Sequence, residues 1–168
     1  MARRKRPKKK VTHCIVAVDP GTKCGWAVRG CSDIEGVGTW NLAPKRYEGG
    51  GMRFIRLLSY FRELLLLTKP LFVAYEEVRK HKGVDAAHIY GGIIATITQE
   101  CEVQGVPYYA IPVGTIKKFA TGKGNAGKPA MIEAAKEKWP TWDGDDNQAD
   151  AMWLAEVAAA EYGNVGLD

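Results

Sequence analysis

Three strand-like segments follow one another early in the chain, and their order limits the fold more than any other feature. They cover about residues 12–19, 24–30 and 34–41, separated by turns that contain Pro-Gly and Ser-Asp. Connections of a few residues usually join antiparallel neighbours, so we expect a meander. Helical and strand-like segments then alternate. This order predicts an α/β fold with a mixed sheet and helices on both faces.

Apolar periodicity predicts the later elements. Phe and Leu residues at helical spacing predict a helix over about 49–67, and LFVAYEEV, 71–78, is typical of a strand. A second helix is expected over 84–104, where Gly91-Gly92 is a place at which it could break. PYYAIP, 107–112, is a short strand. Further helices are expected near 114–120, from Pro129 to about 138 and from about 146 to 161.

The basic charge is concentrated in one stretch. The formal net charge of the 168 residues is +5, and RRKRPKKK, residues 3–10, carries seven of the 24 Lys and Arg residues. The other 17 basic and 19 acidic residues leave the remainder near −2. We therefore expect a basic, disordered arm over 1–11 and a single domain over 12–168. Such an arm would bind phosphate backbones without reading sequence, a solubility tail or a nuclear-import signal being the alternative.

Two features bear on location and redox state. No apolar run approaches the ~20 residues of a membrane-spanning helix, and the chain begins without the hydrophobic segment of a signal peptide. The four cysteines form no Cys-x-x-Cys pair, which disfavours a zinc site. We expect an intracellular, cytoplasmic protein with reduced cysteines and no membrane partner.

Acidic residues stand at the ends of two apolar segments and at the start of the last helix. Asp19 follows the run IVAV, and Glu76 and Glu77 end the run LFVAYEEV. Successive strand residues face opposite sides, so only one of these glutamates can share a face with a given neighbour. Asp146 and Asp150 are four residues apart and share a helix face. Turn formation and favourable charge at a helix N-terminus explain each residue alone.

Taken together, these carboxylates predict more than turns and caps. Several carboxylates at one point repel one another unless a divalent cation neutralises them, and hard cations such as Mg²⁺ prefer oxygen ligands. Two such ions side by side activate a water molecule and stabilise the leaving oxygen in phosphodiester hydrolysis. The pattern therefore indicates a metal-dependent hydrolase of phosphodiesters.

The segments that carry these residues resemble the RuvC-like Holliday-junction resolvases of the RNase H superfamily, in a compact form such as phages carry. IVAVDPGTKCGWAV is similar to the first strand and hairpin of that family, FVAYEEV to its fourth strand and NQADAMWLA to its last helix. The resemblance covers about residues 12–162. It implies an RNase H-like fold with a five-stranded mixed sheet, and catalytic, metal-binding roles for Asp19, Glu76 and Asp150.

The resemblance leaves the fourth metal ligand open. Three residues before Asp150 the family usually has Asp or His, and this chain has Asn147. An amide oxygen can ligate a metal or orient a water but cannot act as a base, so the adjacent Asp146 is the expected replacement. Two lysines of the family, on either side of a Gly-x-Gly segment, fall on Lys117 and Lys128 and are expected to contact DNA or the scissile phosphate.

The implied activity is a Mg²⁺-dependent endonuclease, with Mn²⁺ as a substitute, that resolves four-way and other branched DNA junctions with two ions per active site. Water would be the nucleophile, leaving a 5′-phosphate and a 3′-hydroxyl. Symmetric cutting needs two active sites, so a homodimer is expected, with helix 84–104 as its interface. Two alternatives stay open: an RNase H-type nuclease on RNA–DNA hybrids, and a junction-binding protein that has lost cleavage because of Asn147.

Two further features bear on the ligand. GKGNAGK, 122–128, nearly matches the phosphate loop of NTPases, but the next residue is Pro129 instead of the hydroxyl residue that would hold Mg²⁺. Its lysines and glycines are more typical of a loop that closes over a DNA backbone. Tyr47, Tyr90 and Trp40 are candidates for stacking on unpaired bases, although core packing is the more common role of such residues.

Overall fold

A single mixed sheet forms the centre of the molecule. The computed structural model describes residues 13–31 and 33–163, so the expected arm over 1–11 lies outside the described residues. The strands are β1 (Ile15–Asp19), β2 (Lys23–Arg29), β3 (Ile34–Asn41), β4 (Phe72–Glu77) and β5 (Tyr108–Pro112). Their order across the sheet is β3-β2-β1-β4-β5. The first three strands form the predicted antiparallel meander, and β4 and β5 run parallel to β1.

Helices cover both faces of this sheet. Those of the described residues are α1 (Met52–Thr68), α2 (Val84–Gln104), α3 (Val113–Thr121), α4 (Lys128–Lys138) and α5 (Asp146–Tyr162). Side chains of α1 and α2 pack on one face, and those of α3, α4 and α5 pack on the other. In this part of the chain, no helix has the length and apolar character that a membrane crossing requires. The predicted α/β fold with a five-stranded mixed sheet is confirmed.

Helix α2 runs unbroken through the Gly91-Gly92 pair. A β-carbon on Gly92 would lie 2.4 Å from the ring of Phe54 in α1. The absent side chain therefore lets α1 and α2 pack closely, and this tertiary contact offsets the weak helix propensity of glycine.

The alternation of β1 divides the core in two. Val16 and Val18 point towards α1 and α2, whereas Ile15 and Ala17 point towards α5. All four are buried, which explains why the run contains no polar residue before Asp19. By the same alternation, Asp19 continues the face that α5 covers.

Small side chains bring α5 close to the sheet. Ala17 pairs with Ala27 of β2 and with Ala74 of β4, so three alanines lie side by side beneath the helix. The helix in turn is buried from Ala151 to Ala158. Its one acidic residue in that stretch, Glu156, forms ion pairs with Arg29 at 2.9 Å and Lys138 at 3.0 Å. The first two turns of this closely held helix carry two of the predicted site residues, Asp146 and Asp150.

Candidate active site

Two carboxylates end adjacent parallel strands on the same face. The register of β1 and β4 pairs Val18 with Tyr75, so the next step along both strands sets Asp19 beside Glu76. Phe72 and Ala74, which precede Glu76 at intervals of two, point into the core beneath α5, and Glu76 continues that face. Glu77 therefore points the other way, and its carboxylate binds Arg79 at 3.1 Å. The structure thus separates the two neighbouring glutamates as the strand period predicts.

Helix α5 adds two more carboxylates from its first turns. Asp145 caps the helix by accepting a hydrogen bond from the N–H of Gln148 at 2.9 Å, and it also accepts one from the Thr39 hydroxyl at 2.9 Å. These contacts fix the start of the helix against β3. Asp146 and Asp150 then follow on one helix face.

A glycine in β2 allows this approach. Gly25 pairs with Asp19 across the β1–β2 ladder. A β-carbon at Gly25 would lie 2.0 Å from the backbone carbonyl oxygen of Asn147. The start of α5 can therefore reach the end of β1 only because position 25 has no side chain. Sequence reasoning missed this residue, although a glycine inside a strand is a known sign of close backbone approach.

The acidic side chains raise one another's pKa values. Burial raises the pKa of Asp19 well above its usual range, and the carboxylates of Glu76 and Asp150 add to this effect. Burial, with Asp150 as the next cause, raises the pKa of Glu76 to about 7. Burial, with Asp146 as the next cause, raises the pKa of Asp150 to about 6. The three carboxylates thus form a cluster whose negative charge is poorly compensated.

Asp146 differs from the other three because it has a cationic partner. A hydrogen bond from Lys128 lowers the pKa of Asp146, and the same contact raises the pKa of Lys128. Lys128 is the first residue of α4 and is exposed. The expected DNA contact and the expected fourth ligand thus bind each other in the free chain.

The two predicted lysines flank a small cavity beside the cluster. Lys117 comes from α3, and its charge lowers the pKa values of Glu76 and Asp150 against the effect of burial. The cavity has a volume of about 150 Å³ and an apolar floor. Its lining residues are Glu76, Val113, Ile116, Lys117, Lys128, Met131 and Asp150.

The donor set suits a hard divalent cation, but the coordination shell is not preformed. The site offers four carboxylates, and the positive charges that act on them come from the two lysines. Carboxylate oxygens are the ligands that Mg²⁺ prefers. Within residues 13–31 and 33–163, however, no three His, Cys, Asp or Glu side chains are close enough together to hold an ion as they stand. A metal held by all four carboxylates would therefore need side-chain movement, including release of Asp146 from Lys128.

The aromatic candidates for base contacts fall into different environments. Tyr47 is 90% exposed in the segment between β3 and α1. Trp40 instead stacks on Trp26 with ring centroids 5.7 Å apart and is half-buried. Tyr90 is also half-buried, and its hydroxyl bonds to the backbone near Glu76. Of the three, Tyr47 is the exposed one, and the guanidinium of Arg46 lies over its ring, 5.3 Å from the centroid.

Comparison with known proteins agrees with the resemblance read from the motifs. No protein-family model matches the chain. A curated relative, the crossover junction endodeoxyribonuclease RuvC of an Anaeromyxobacter species, is 27% identical over 143 residues, which are 83% of this chain and 69% of that protein. The likeness to RuvC therefore extends over most of the chain, well beyond the three short motifs.

Solved structures agree on the fold. Thermus thermophilus RuvC matches with a TM-score of 0.72 and 21% identity, covering 91% of this chain and 96% of that chain. The same protein in complex with a Holliday junction substrate matches with a TM-score of 0.76 and 22% identity, covering 92% of this chain and 96% of that chain. The yeast mitochondrial Holliday junction resolvase Ydc2 matches with a TM-score of 0.62 and 14% identity, covering 86% of this chain and 76% of that chain. The RNase H-like fold expected from the sequence, which these RuvC structures share, is confirmed.

Proposed function

We propose that this chain is a metal-dependent endonuclease that cuts four-way and other branched DNA junctions. The observation that carries the proposal is the cluster that Asp150 of α5 forms with Asp19 and Glu76 at the ends of β1 and β4. A cavity that Lys117 and Lys128 line lies beside this cluster. The likeness to proteins named as crossover junction nucleases supports the choice of substrate.

The proposed metal ligands are Asp19, Glu76, Asp146 and Asp150. Their mutual repulsion gives the site a strong preference for cations, and Mg²⁺ or Mn²⁺ fits the oxygen donors. Bound there, two such ions would supply a Lewis acid that activates water and offsets charge on the leaving oxygen. Asn147 offers only a neutral amide, whereas the negative charge of Asp146 acts on Asp19 and Asp150, so Asp146 is the proposed fourth ligand.

Positive side chains at the cavity would hold the phosphate. Lys117, which is half-buried, sits where it opposes the charge of Glu76 and Asp150. Lys128 is exposed and can reach a backbone phosphate once it leaves Asp146. Both lysines would bind non-bridging oxygens and hold the scissile bond over the carboxylate cluster.

A homodimer would place two such sites on one junction, and α2 is the proposed interface. Residues Val84, His88, Gly91 and Ala95 form an exposed stripe along this helix. A β-carbon at Gly91 meets nothing within 4 Å, so Gly91→Arg adds bulk without disturbing a single chain. The exposed apolar face of α1, which includes Leu66, offers the matched control Leu66→Arg.

Light scattering on the purified chain tests this assembly. We expect a dimer that Gly91→Arg converts to a monomer and that Leu66→Arg leaves intact. A monomeric wild-type chain contradicts the dimer, and loss of the dimer only in Leu66→Arg assigns the interface to α1 instead.

The basic stretch over residues 3–10 is the proposed source of additional, sequence-independent affinity. Its seven positive charges would release counterions from DNA, so removing them should weaken junction binding at low salt and flatten its salt dependence. Equal salt slopes for the full chain and for a chain that lacks residues 3–10 would assign the stretch another role.

Cleavage of three labelled substrates tests the proposed function as a whole. A four-way junction, an RNA–DNA hybrid and a linear duplex are incubated with Mg²⁺, with Mn²⁺ or with a chelator. We expect metal-dependent cutting of the junction only, and Asp19→Asn should abolish cutting while leaving junction binding intact. Cutting of the hybrid instead supports an RNase H-type nuclease. Junction binding without cutting in either metal supports a binding protein.

A further inference from the structure

The hydroxyl group of Tyr90 bridges two backbone groups at the end of β4. It donates a hydrogen bond to the carbonyl oxygen of Glu76 at 2.9 Å and accepts one from the N–H of Val78 at 3.0 Å. Tyr90 belongs to α2, which lies on the face of the sheet opposite to the carboxylate cluster. A side chain on one face of the sheet thus holds the backbone of Glu76, whose carboxylate points to the opposite face.

The bridge replaces strand pairing that stops at this point. β1 ends at Asp19, and the next residue, Pro20, has no N–H to donate to a neighbouring strand. Pro20, Val78 and Tyr90 surround one cavity, which places the hydroxyl next to the site where the β1–β4 ladder ends. On its other side, β4 still pairs with β5 through Glu76 and Ile111. Without Tyr90, the Glu76 peptide would therefore be fixed by one neighbour only.

The Tyr90 ring is itself held in place. The His81 ring packs against it with centroids 4.7 Å apart, and Ile89 and Ile93 line the same cavity. Tyr90 is half-buried, and its hydroxyl uses its donor and one acceptor position on the backbone. These contacts hold the side chain at the strand end and occupy the hydrogen-bond donor of its hydroxyl.

We propose that Tyr90 is a positioning residue: it fixes the direction in which the Glu76 carboxylate leaves the end of β4. The inference rests on the proposed function, in which Glu76 is a metal ligand. Small misplacements of a catalytic group lower the rate strongly, so the hydroxyl should affect turnover more than substrate binding.

Tyr90→Phe tests this role because it removes the hydroxyl and keeps the ring. The matched control is Tyr108→Phe, which removes a hydroxyl bond of 2.9 Å to Glu102 near the other end of α2, away from the cluster. Single-turnover cleavage of the four-way junction gives the rate, and fluorescence anisotropy gives the junction affinity.

We expect Tyr90→Phe to lower the cleavage rate by about ten-fold to a hundred-fold with a junction Kd within about two-fold of wild type. Amide hydrogen exchange at Val78 should become faster in this variant, and Tyr108→Phe should match wild type in all three measurements. A wild-type rate for Tyr90→Phe, or an equal loss in both variants, overturns the positioning role while leaving the nuclease proposal intact. A wild-type chain that does not cut overturns both.

Discussion

The ammonium group of Lys128 and the carboxylate of Asp146 form an ion pair at the edge of the acidic cluster. Each partner has another task in the proposed function: Lys128 binds phosphate, and Asp146 binds metal. The pair must therefore open before the site is complete. In the free chain this lysine adds to the positive charge that Lys117 brings to the cluster, and a metal ion would compete with it for Asp146.

Lys128→Gln should strengthen metal binding to the free chain. The substitution releases Asp146 and removes a positive charge that repels the cation. Since an exposed charge pair contributes on the order of 1 kcal/mol, we expect the Mg²⁺ Kd, measured by titration calorimetry without DNA, to fall by about five-fold. The same variant should cut the junction more slowly, because the phosphate loses a ligand.

Lys136→Gln is the control for this measurement, because it removes the same charge from the same helix at an exposed position that makes no ion pair within 4 Å with the described residues. It should leave the Mg²⁺ Kd close to wild type. A Kd that is unchanged or higher in Lys128→Gln would mean that the lysine does not compete with the metal.

Glu76→Gln and Glu77→Gln provide a test of side-chain direction at the end of β4. Glu76 faces the cluster, whereas Glu77 faces away and binds Arg79. Because even groups that only support metal ligands change activity by about 10–100-fold, loss of Glu76 should lower junction cleavage by more than about a hundred-fold. Glu77→Gln should cut at the wild-type rate. Equal losses in the two variants would contradict the assignment of Glu76.

The free chain should lose stability as the pH rises, and Glu76→Gln should remove part of that loss. The pKa of Glu76 is raised from 4.5 to about 7 in the folded chain, so the folded state keeps a proton that the unfolded state releases between these values. The contribution of this group to stability is therefore full below the unfolded pKa and is lost as pH rises through about 7.

Thermal unfolding in a chelator measures this effect. At pH 5 the variant and the wild type should melt at similar temperatures, because the glutamic acid is then neutral like the amide. At pH 8 the repulsion in this half-buried site is partly screened by solvent, so we expect the variant to be more stable by on the order of 1 kcal/mol and to melt about 2–4 °C higher. A variant less stable than wild type at pH 8 would refute the predicted repulsion.

Local patterns in the sequence were sufficient to predict the elements and the opposite directions of Glu76 and Glu77, whereas the choice of Glu76 came from the resemblance of its strand to a known family. The runs before Asp19 and Glu76 are apolar on both faces, so the strand period alone does not say which side each residue takes. The register of β1 and β4 sets the two carboxylates on one side. The contacts that complete the site join distant segments, and no local pattern reports them. The pairing of Lys128 with Asp146 is one such contact, and the bridge from Tyr90 to the Glu76 backbone is another.

Gly25→Ala tests the most demanding of these distant contacts. Its β-carbon would lie 2.0 Å from the carbonyl oxygen of Asn147, a backbone atom, so the start of α5 must move away from β1. That movement carries Asp146 and Asp150 away from Asp19. We expect weaker Mg²⁺ binding, cleavage at least about ten-fold slower, and a loss of about 1–3 kcal/mol in the free energy of unfolding from overpacking. Gly36→Ala is the control in the same sheet, because its β-carbon would meet the side chains of Trp26 at 3.6 Å and Val28 at 3.8 Å, which are ordinary contacts. If Gly25→Ala binds metal and cuts like Gly36→Ala, the close approach of α5 does not position the carboxylates, and the cluster must assemble in another way.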